Sequence, residues 1–318
     1  MKSYIAESVS YLHPDKVCDQ ISDNLVDAFI KQDPHARVAI ETAGGHGHVS
    51  LYGEITANAE VDIVAETKQL YKNLTGDDIA VESYISQQSP EISSGVNRGG
   101  AGDQGVMVGY ACRENELYMP QEMYLCRKLL KGIKSDAKSQ VVVEGKKLLS
   151  VVLSVQGKDK QELEQHVKKS IKIGPKTHLF INNTGAFTIG GFDADSGCTG
   201  RKIVVDAYGP RVPVGGGAFS GKDATKVDRS AAYMARWIAL QLLEKHGAKE
   251  VIVRIGYVIG GDEPLIKQAI IDGKETTFDY DCRPESIIEQ FKLRRPIYLQ
   301  TARYGHFGHI GEYPWEIL

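Results

Sequence analysis

Four stretches of this chain place ionisable residues beside glycines or at a helix start. The first is His13-Pro14-Asp15-Lys16. Pro14 suits the first helical position, where its missing N–H leaves nothing unpaired. Free N–H groups and the positive dipole end make such a turn an anion site. His13 can donate to an oxygen held there, and Asp15 can hold a divalent cation that bridges phosphates. On spacing alone, ordinary helix capping accounts for the same residues.

The second stretch runs from Gly215 to Asp223 and contains three consecutive glycines, Ser220 and Lys222. From Gly216 it reads G-x-x-x-x-G-K, but it ends in Asp223 where a P-loop needs Ser or Thr. Pro213 spoils the strand that should precede it. These features argue against a true P-loop, while glycines that let backbone approach a polyanion remain a sound reading. Lys222, Lys226 and Arg229 recur at i, i+4 and i+7, so one face of the following helix is expected to carry three cations. Asp223 and Asp228 lie beside them. A solvated charged face is the alternative.

The third stretch, Gly100–Gly105, matches G-x-G-x-x-G by letter. Val106–Ala111 reads as a strand, whereas the dinucleotide fingerprint opens a helix, so a Rossmann site is rejected. Residues 89–102 read as a mobile loop that closes over a site. The fourth set comprises polar residues in or between strands: Glu41, Glu54 and the run Asp136-Ala137-Lys138-Ser139. Carboxylates at strand ends bind cations or an amino group, or simply face solvent. His46 and His48 are better explained by a hairpin turn than by metal. Phe187 can stack on a base or fill the core.

The elements that must position these residues follow from apolar periodicity. Amphipathic helices are expected over Pro14–Lys31, Glu60–Leu74 and Asp223–His246, with a weaker one over Lys160–Ile171. Strands are expected over Arg37–Thr42, Val49–Thr56, Gln140–Val143, Leu149–Val155, Lys202–Ala207 and Val251–Ile259. Strands outnumber helices and come as consecutive pairs, which favours α+β layers with mixed or antiparallel sheets. Of 318 residues 42% are hydrophobic and 25% charged, with net charge −3. That balance is globular and lacks a global basic field, which argues against nucleic-acid or anionic-membrane binding. No apolar run approaches the ~18 residues of a membrane helix. The five cysteines form no C-x-x-C pair, so neither a disulfide framework nor a zinc site is expected, and the reducing cytoplasm is the expected compartment.

Taken together, the blocks identify a family resemblance. Glu7-Ser-Val-Ser, His13-Pro-Asp-Lys-Val-Cys-Asp-Gln-Ile-Ser-Asp23, Gly53-Glu-Ile-Thr56, Gln88-Ser-Pro90, Gly100–Gly105, Asp136–Gln140, Thr199-Gly-Arg-Lys202, Gly215–Arg236 and Tyr304-Gly-His-Phe-Gly308 resemble S-adenosylmethionine synthetase, in family order from end to end. The resemblance implies three similar α+β domains about a pseudo-threefold axis, at 1–90, 100–189 and 190–318, with 89–102 as an active-site loop. It implies ATP and L-methionine as substrates, two magnesium ions and potassium as cofactors. It also implies a homodimer with sites between subunits, and pairing of dimers into tetramers.

Carried over by position, His13 would donate to the departing oxygen, and Asp15 and Asp228 would bind magnesium. Lys138, Arg201, Lys202 and Lys222 would hold the phosphates, with Arg201 assisting tripolyphosphate hydrolysis and Ala218 adding loop contacts. Phe187 would face adenine, with Asp136 near the nucleoside. Glu54, Gln88, Asp195 and Lys226 would orient methionine, Asp195 also touching ATP. Asp103 would stand near the methionine end, and Glu41 would bind potassium. The chain departs from the family pattern at Tyr11-Leu12 before His13, at Ala186 before Phe187, at Phe192 within Gly190–Asp195 and at Val214 before the triple glycine. It is also shorter than most members. These departures imply altered nucleotide or methionine specificity. A tripolyphosphatase and a catalytically silent ATP-binding paralogue are the alternatives.

Overall fold

The computed structural model describes residues 2–87 and 100–318. Its strands form three four-stranded sheets. The first sheet has the order β4-β3-β2-β9, with β2 (Arg37–Gly45), β3 (His48–Thr56), β4 (Ala80–Ser86) and β9 (Gly197–Cys198). The second has the order β1-β6-β7-β8, with β1 (Ser3–Val9), β6 (Ala137–Glu144), β7 (Lys147–Val155) and β8 (His178–Ile181). The third has the order β5-β10-β11-β12, with β5 (Gly105–Cys112), β10 (Glu250–Tyr257), β11 (Ile266–Ile271) and β12 (Lys274–Thr276).

The sheets repeat one plan. A helix precedes a central hairpin, and the hairpin's outer edge is closed by an antiparallel strand from a different third of the chain: β9, β1 and β5 in turn. In the first two sheets the hairpin is followed by a helical crossover, α2 (Ile63–Thr75) or α4 (Lys160–Ser170), into a parallel strand. A crossover of this kind is what parallel pairing demands. In the third sheet the tight Asp272-Gly273 turn replaces the helix, so β12 runs antiparallel. The result is the mixed α+β architecture expected from paired strand patterns.

The three preceding helices are α1 (Pro14–Gln32) against β2, α3 (Gln121–Leu130) against β1 and β6, and α6 (Val227–His246) against β5 and β10. One core gathers α3, α6 and the second and third sheets, with Met123, Leu129, Val151, Ala235 and Ile238 fully enclosed. A second core lies between α1 and the first sheet and includes Ile21, Leu25, Val38 and Leu51.

Two expectations are corrected. Residues 202–207 are not a strand: Ile203–Asp206 forms a short helix, α5. The β-branched run Ile203-Val204-Val205 suggested pairing, but Arg127 binds the Val205 and Ala207 carbonyls at 2.9 and 3.0 Å, leaving them unavailable to a ladder. The expected cationic helix face is also absent. α6 starts at Val227, so Lys222 and Lys226 precede it. Arg229 turns inward, fully buried, and forms a forked pair with Asp23 at 2.6 and 2.9 Å. A helix packed on nearly every side leaves no solvated face for that guanidinium, so the carboxylate compensates its charge.

Candidate active site

The first turn of α1 is the hub. His13 is its N-cap: Nδ1 accepts the Asp15 N–H at 3.2 Å, and the His13 carbonyl accepts from Val17 N. With Nδ1 occupied as an acceptor, a neutral ring carries its proton on Nε2. Burial, reinforced by nearby Lys202, lowers the His13 pKa to about 4, so the neutral ring is the resting form. Asp15 is buried, which by itself raises a carboxyl pKa. The Lys202 ammonium, the Cys198 N–H and Arg201 outweigh that and hold it below the ordinary value. Lys202 contacts Asp15 Oδ2 directly, Arg201 Nε lies 3.5 Å from Oδ1, and Cys198 N donates to Oδ1 at 2.9 Å.

The loop elements that complete the site dock on one edge of β2. The glycine loop attaches first, with Ile40 N donating to the Gly221 carbonyl and Asp223 N to the Val38 carbonyl. Farther along the same edge, Thr199 N donates to the Thr42 carbonyl, and β9 pairs with Ala43 and Gly44. Gly221 is required at the first contact. It has φ +83°, and a Cβ there would sit 1.9 Å from the Ile40 carbonyl oxygen. Lys222 thereby reaches Asp228, which also accepts the Gly217 N–H at 3.0 Å.

Between these loops and β3 lies a cavity of about 250 Å³, lined by Glu41, Glu54, Thr199, Ala218, Ser220 and Lys222 among others. Glu41 and Glu54 share the outer face of the sheet. The cross-strand pairs Glu41↔Tyr52 and Ala39↔Glu54 place them diagonally. Two carboxylates thus face Lys222 across one cavity. Ser220 is buried with its hydroxyl unpartnered among the described residues.

Lys138, on β6, pairs with Glu7 of β1 at 3.0 Å. Lys138 and Asp195 both act electrostatically on His13, and Asp195 acts on Asp136, so these groups share one neighbourhood. Asp136 accepts the Gly191 N–H at 3.0 Å, and burial raises its pKa. Phe187 is half-buried. It lines a second, open cavity of about 460 Å³ with Ala186, Lys158 and Lys160, and its carbonyl accepts from Gly157 N. The Asp136 carbonyl accepts from Gln156 N, next in the chain to Gly157, so Asp136 lies beside the lining of this second cavity.

Two candidates stand apart among the described residues. Asp103 is exposed, and among the described residues its hydrogen-bond partner is the Gln104 N–H. Lys226 is turned onto Asp223 at 2.5 Å, and Asp223 also accepts from Val38 N. Gln88 and most of the expected 89–102 loop lie outside the described residues.

Sequence reading missed the scaffold behind the site. Asp15, Asp19, Asp23 and Asp27 recur every fourth residue on α1, so they share one face. Each takes backbone N–H groups from a segment remote in sequence: Cys198, Gly200, Gly221, and Tyr298 with Leu299. The four-residue spacing was the available signal. Of the departures, Phe192 fills the core, stacked on Tyr71 at 5.5 Å and packed under Gly44. Tyr11 lies edge-on to Tyr304 at 6.0 Å, and its carbonyl accepts from Gln20.

Among the described residues no three His, Cys, Asp or Glu side chains gather around one point to hold a metal alone. The donor set nevertheless fits magnesium shared with phosphate. Asp15 and Asp228 are single buried carboxylates, each against an ammonium, and magnesium is usually held by one or two carboxylates plus phosphates and waters. Glu41 and Ser220 line one cavity and bring only oxygen donors to it, the donor type a hard monovalent cation takes. No helix among the described residues is long and apolar enough to cross a membrane.

The sequence matches three successive domain descriptions: S-adenosylmethionine synthetase N-terminal domain over residues 2–90, central domain over 98–187 and C-terminal domain over 189–317. A protein of Clostridium tetani named S-adenosylmethionine synthase is 40% identical, covering all of this chain and 97% of the relative. One of Brachyspira hyodysenteriae with the same name is 38% identical, covering 98% of this chain and 95% of the relative. The first alignment runs over 380 positions against a chain of 318, so the relative carries segments without counterpart here. Spanned end to end by these matches, the chain belongs to the S-adenosylmethionine synthetase family.

Proposed function

We propose that the chain is a methionine adenosyltransferase that joins ATP and L-methionine, then hydrolyses the tripolyphosphate to pyrophosphate and phosphate. The observation that carries this reading is the concentration of Lys138, Arg201 and Lys202 around His13 and Asp15, beside the cavity in which Lys222 faces Glu41 and Glu54. The cluster supplies cations and a neutral donor but presents no activated side-chain nucleophile. That suits a reaction whose nucleophile is the substrate.

The methionine sulfur lone pair forms the S–C5′ bond, the C5′–O bond breaks, and its electron pair leaves on the polyphosphate. Negative charge grows on the departing oxygen, so donors placed there stabilise the transition state more than the ground state. Neutral His13 donates from Nε2 to that oxygen. Lys138, Arg201, Lys202 and Lys222 hold the chain of phosphates, and Arg201 stays on the product for hydrolysis. Glu54 receives the methionine ammonium group, with Gln88, Asp195, Lys226 and Asp103 completing that end. Phe187 and Asp136 receive the nucleoside, and Ala218 borders the phosphates. When bound, magnesium at Asp15 and Asp228 neutralises phosphate charge, and potassium at Glu41 tempers the acidic wall.

The working unit is a homodimer, able to pair into a tetramer, in the cytoplasm. Outer faces of all three sheets support this: Ile5, Tyr52, Tyr84, Val106, Phe180 and Ile266 are large, apolar and exposed. Such a spread across three sheets marks an association surface.

Product analysis by mass spectrometry tests the reading, with ATP, L-methionine, Mg2+ and K+ and with Lys222→Ala beside wild type. S-adenosylmethionine and pyrophosphate from wild type, lost in the variant, are expected. Phosphate alone would identify a tripolyphosphatase, and bound but unreacted ATP a silent paralogue.

A further inference from the structure

Lys16 is next to the site yet cannot touch a substrate. Only 1% of its side chain is exposed, and Nζ sits between Asp206 Oδ1 at 2.5 Å and Asp19 Oδ2 at 3.0 Å. Both carboxylates are buried. Asp19 also accepts the Gly200 N–H at 2.9 Å through its other oxygen, and the Asp206 carbonyl accepts from His306 N at 2.9 Å. Arg201 and Lys202 therefore stand on a segment gripped on both sides by one turn of α1. Asp15 holds Cys198, Asp19 holds Gly200, and Lys16 holds Asp206. External support is needed there, because α5 spans only four residues and a helix that short has no stability of its own.

We propose that Lys16 is a positioning residue that sets residues 198–206 against α1, and so fixes Arg201 and Lys202 relative to His13 and Asp15. The inference rests on the phosphate-binding reading of Arg201 and Lys202. Removing the ammonium leaves two buried carboxylates without their shared counterion, and they separate. Asp206 carries α5 with it, and the two cations lose their aim. A misplacement on the ångström scale lowers rate by about 100-fold even when every catalytic group is present. Methionine binds against Glu54, which is on β3 and not on the gripped segment, so its affinity is left intact.

The test compares wild type, Lys16→Met and Lys16→Arg in S-adenosylmethionine formation and in hydrolysis of added tripolyphosphate, with thermal unfolding as the control for folding. Folded Lys16→Met should lose about 10- to 100-fold in kcat for both reactions, with methionine KM within about twofold of wild type. Lys16→Arg, which keeps a donor for both carboxylates, should recover most of the loss. Folded Lys16→Met with both rates near wild type would overturn the proposal, as would a loss confined to methionine KM. If Lys16→Met does not fold, Asp19→Asn replaces it, because Asn keeps an acceptor for Gly200 N but weakens the grip on Lys16. A lower kcat at constant methionine KM supports positioning, and unchanged kcat refutes it. Wild type that forms no S-adenosylmethionine defeats the assigned function instead, which separates the two failures.

Discussion

Asp15 Oδ1 accepts a hydrogen bond from the Cys198 backbone N–H across 2.9 Å, although 183 positions separate the two residues. The bond ties the first turn of α1 to the segment that supplies Arg201 and Lys202. It makes Asp15 both a structural acceptor and the charge that those cations face. These two roles separate by substitution. Asp15→Asn keeps an acceptor but loses the charge, so it should fold and lose about 100- to 1,000-fold in kcat, the scale of one missing electrostatic partner. Asp15→Ala also orphans the Cys198 N–H, adding about 1–3 kcal/mol of destabilisation. Steady-state kinetics with chemical denaturation of both variants separates the effects, and equal stabilities would remove the structural role.

Glu54 faces the cavity from the outer surface of β3. Glu54→Gln should raise methionine KM by about 10- to 100-fold, the size of a lost charge-assisted hydrogen bond of about 1.5–3 kcal/mol. ATP affinity should change little. Isothermal titration with each substrate reads this directly, and weakened ATP with normal methionine would reassign the residue.

Gly221 approaches β2 so closely that any side chain displaces the loop. Gly221→Ala has two faults, a φ of +83° and a Cβ 1.9 Å from the Ile40 carbonyl oxygen. Backbone strain of this kind costs about 1–3 kcal/mol, and Lys222 should lose its place over the cavity. A lower melting temperature together with weakened tripolyphosphate binding is expected, whereas wild-type values for both would show that the loop does not depend on this contact.

His13 gives the stability curve a defined slope. Its pKa is about 4 in the fold because burial, and then Lys202, disfavour the imidazolium; unfolded it returns to about 6.5. The unfolded state therefore binds more protons between those values, so this contribution is fully present above about pH 6.5 and is lost as pH falls toward 4. His13→Gln removes the titration and should flatten the stability of the ligand-free protein over that interval. Parallel slopes for the two proteins in urea titrations would exclude His13 as the source.

Tyr52 and Tyr84 stack on each other at 5.4 Å on the exposed outer face of the first sheet. In a dimer closed through that face, Tyr84→Asp buries a charge and should shift the protein to monomers with loss of turnover. Light scattering after gel filtration measures the mass. A variant that keeps both the wild-type mass and activity would place the dimer contact elsewhere.

The sequence alone was enough to identify the chemistry-bearing blocks, because local rules govern them. A Pro after a capping His starts α1, Gly247 stops α6, and paired β-branched runs become hairpins. Glu41, Glu54, Ala218 and Lys222 were legible as types in motifs, and the structure brings them to one cavity. What the motifs did not reveal was partnership across the chain. Arg229 looked like a surface cation at helical spacing, yet Asp23, 206 positions away, draws it into the core. Residues 202–207 looked like a strand, yet Arg127 and Lys16 claim their polar groups. Periodicity reports which face of an element is apolar, but a buried charge settles only beside its counter-charge. Which loop meets which carboxylate of α1 is therefore decided by tertiary packing, where desolvation makes an unpaired choice too costly to persist.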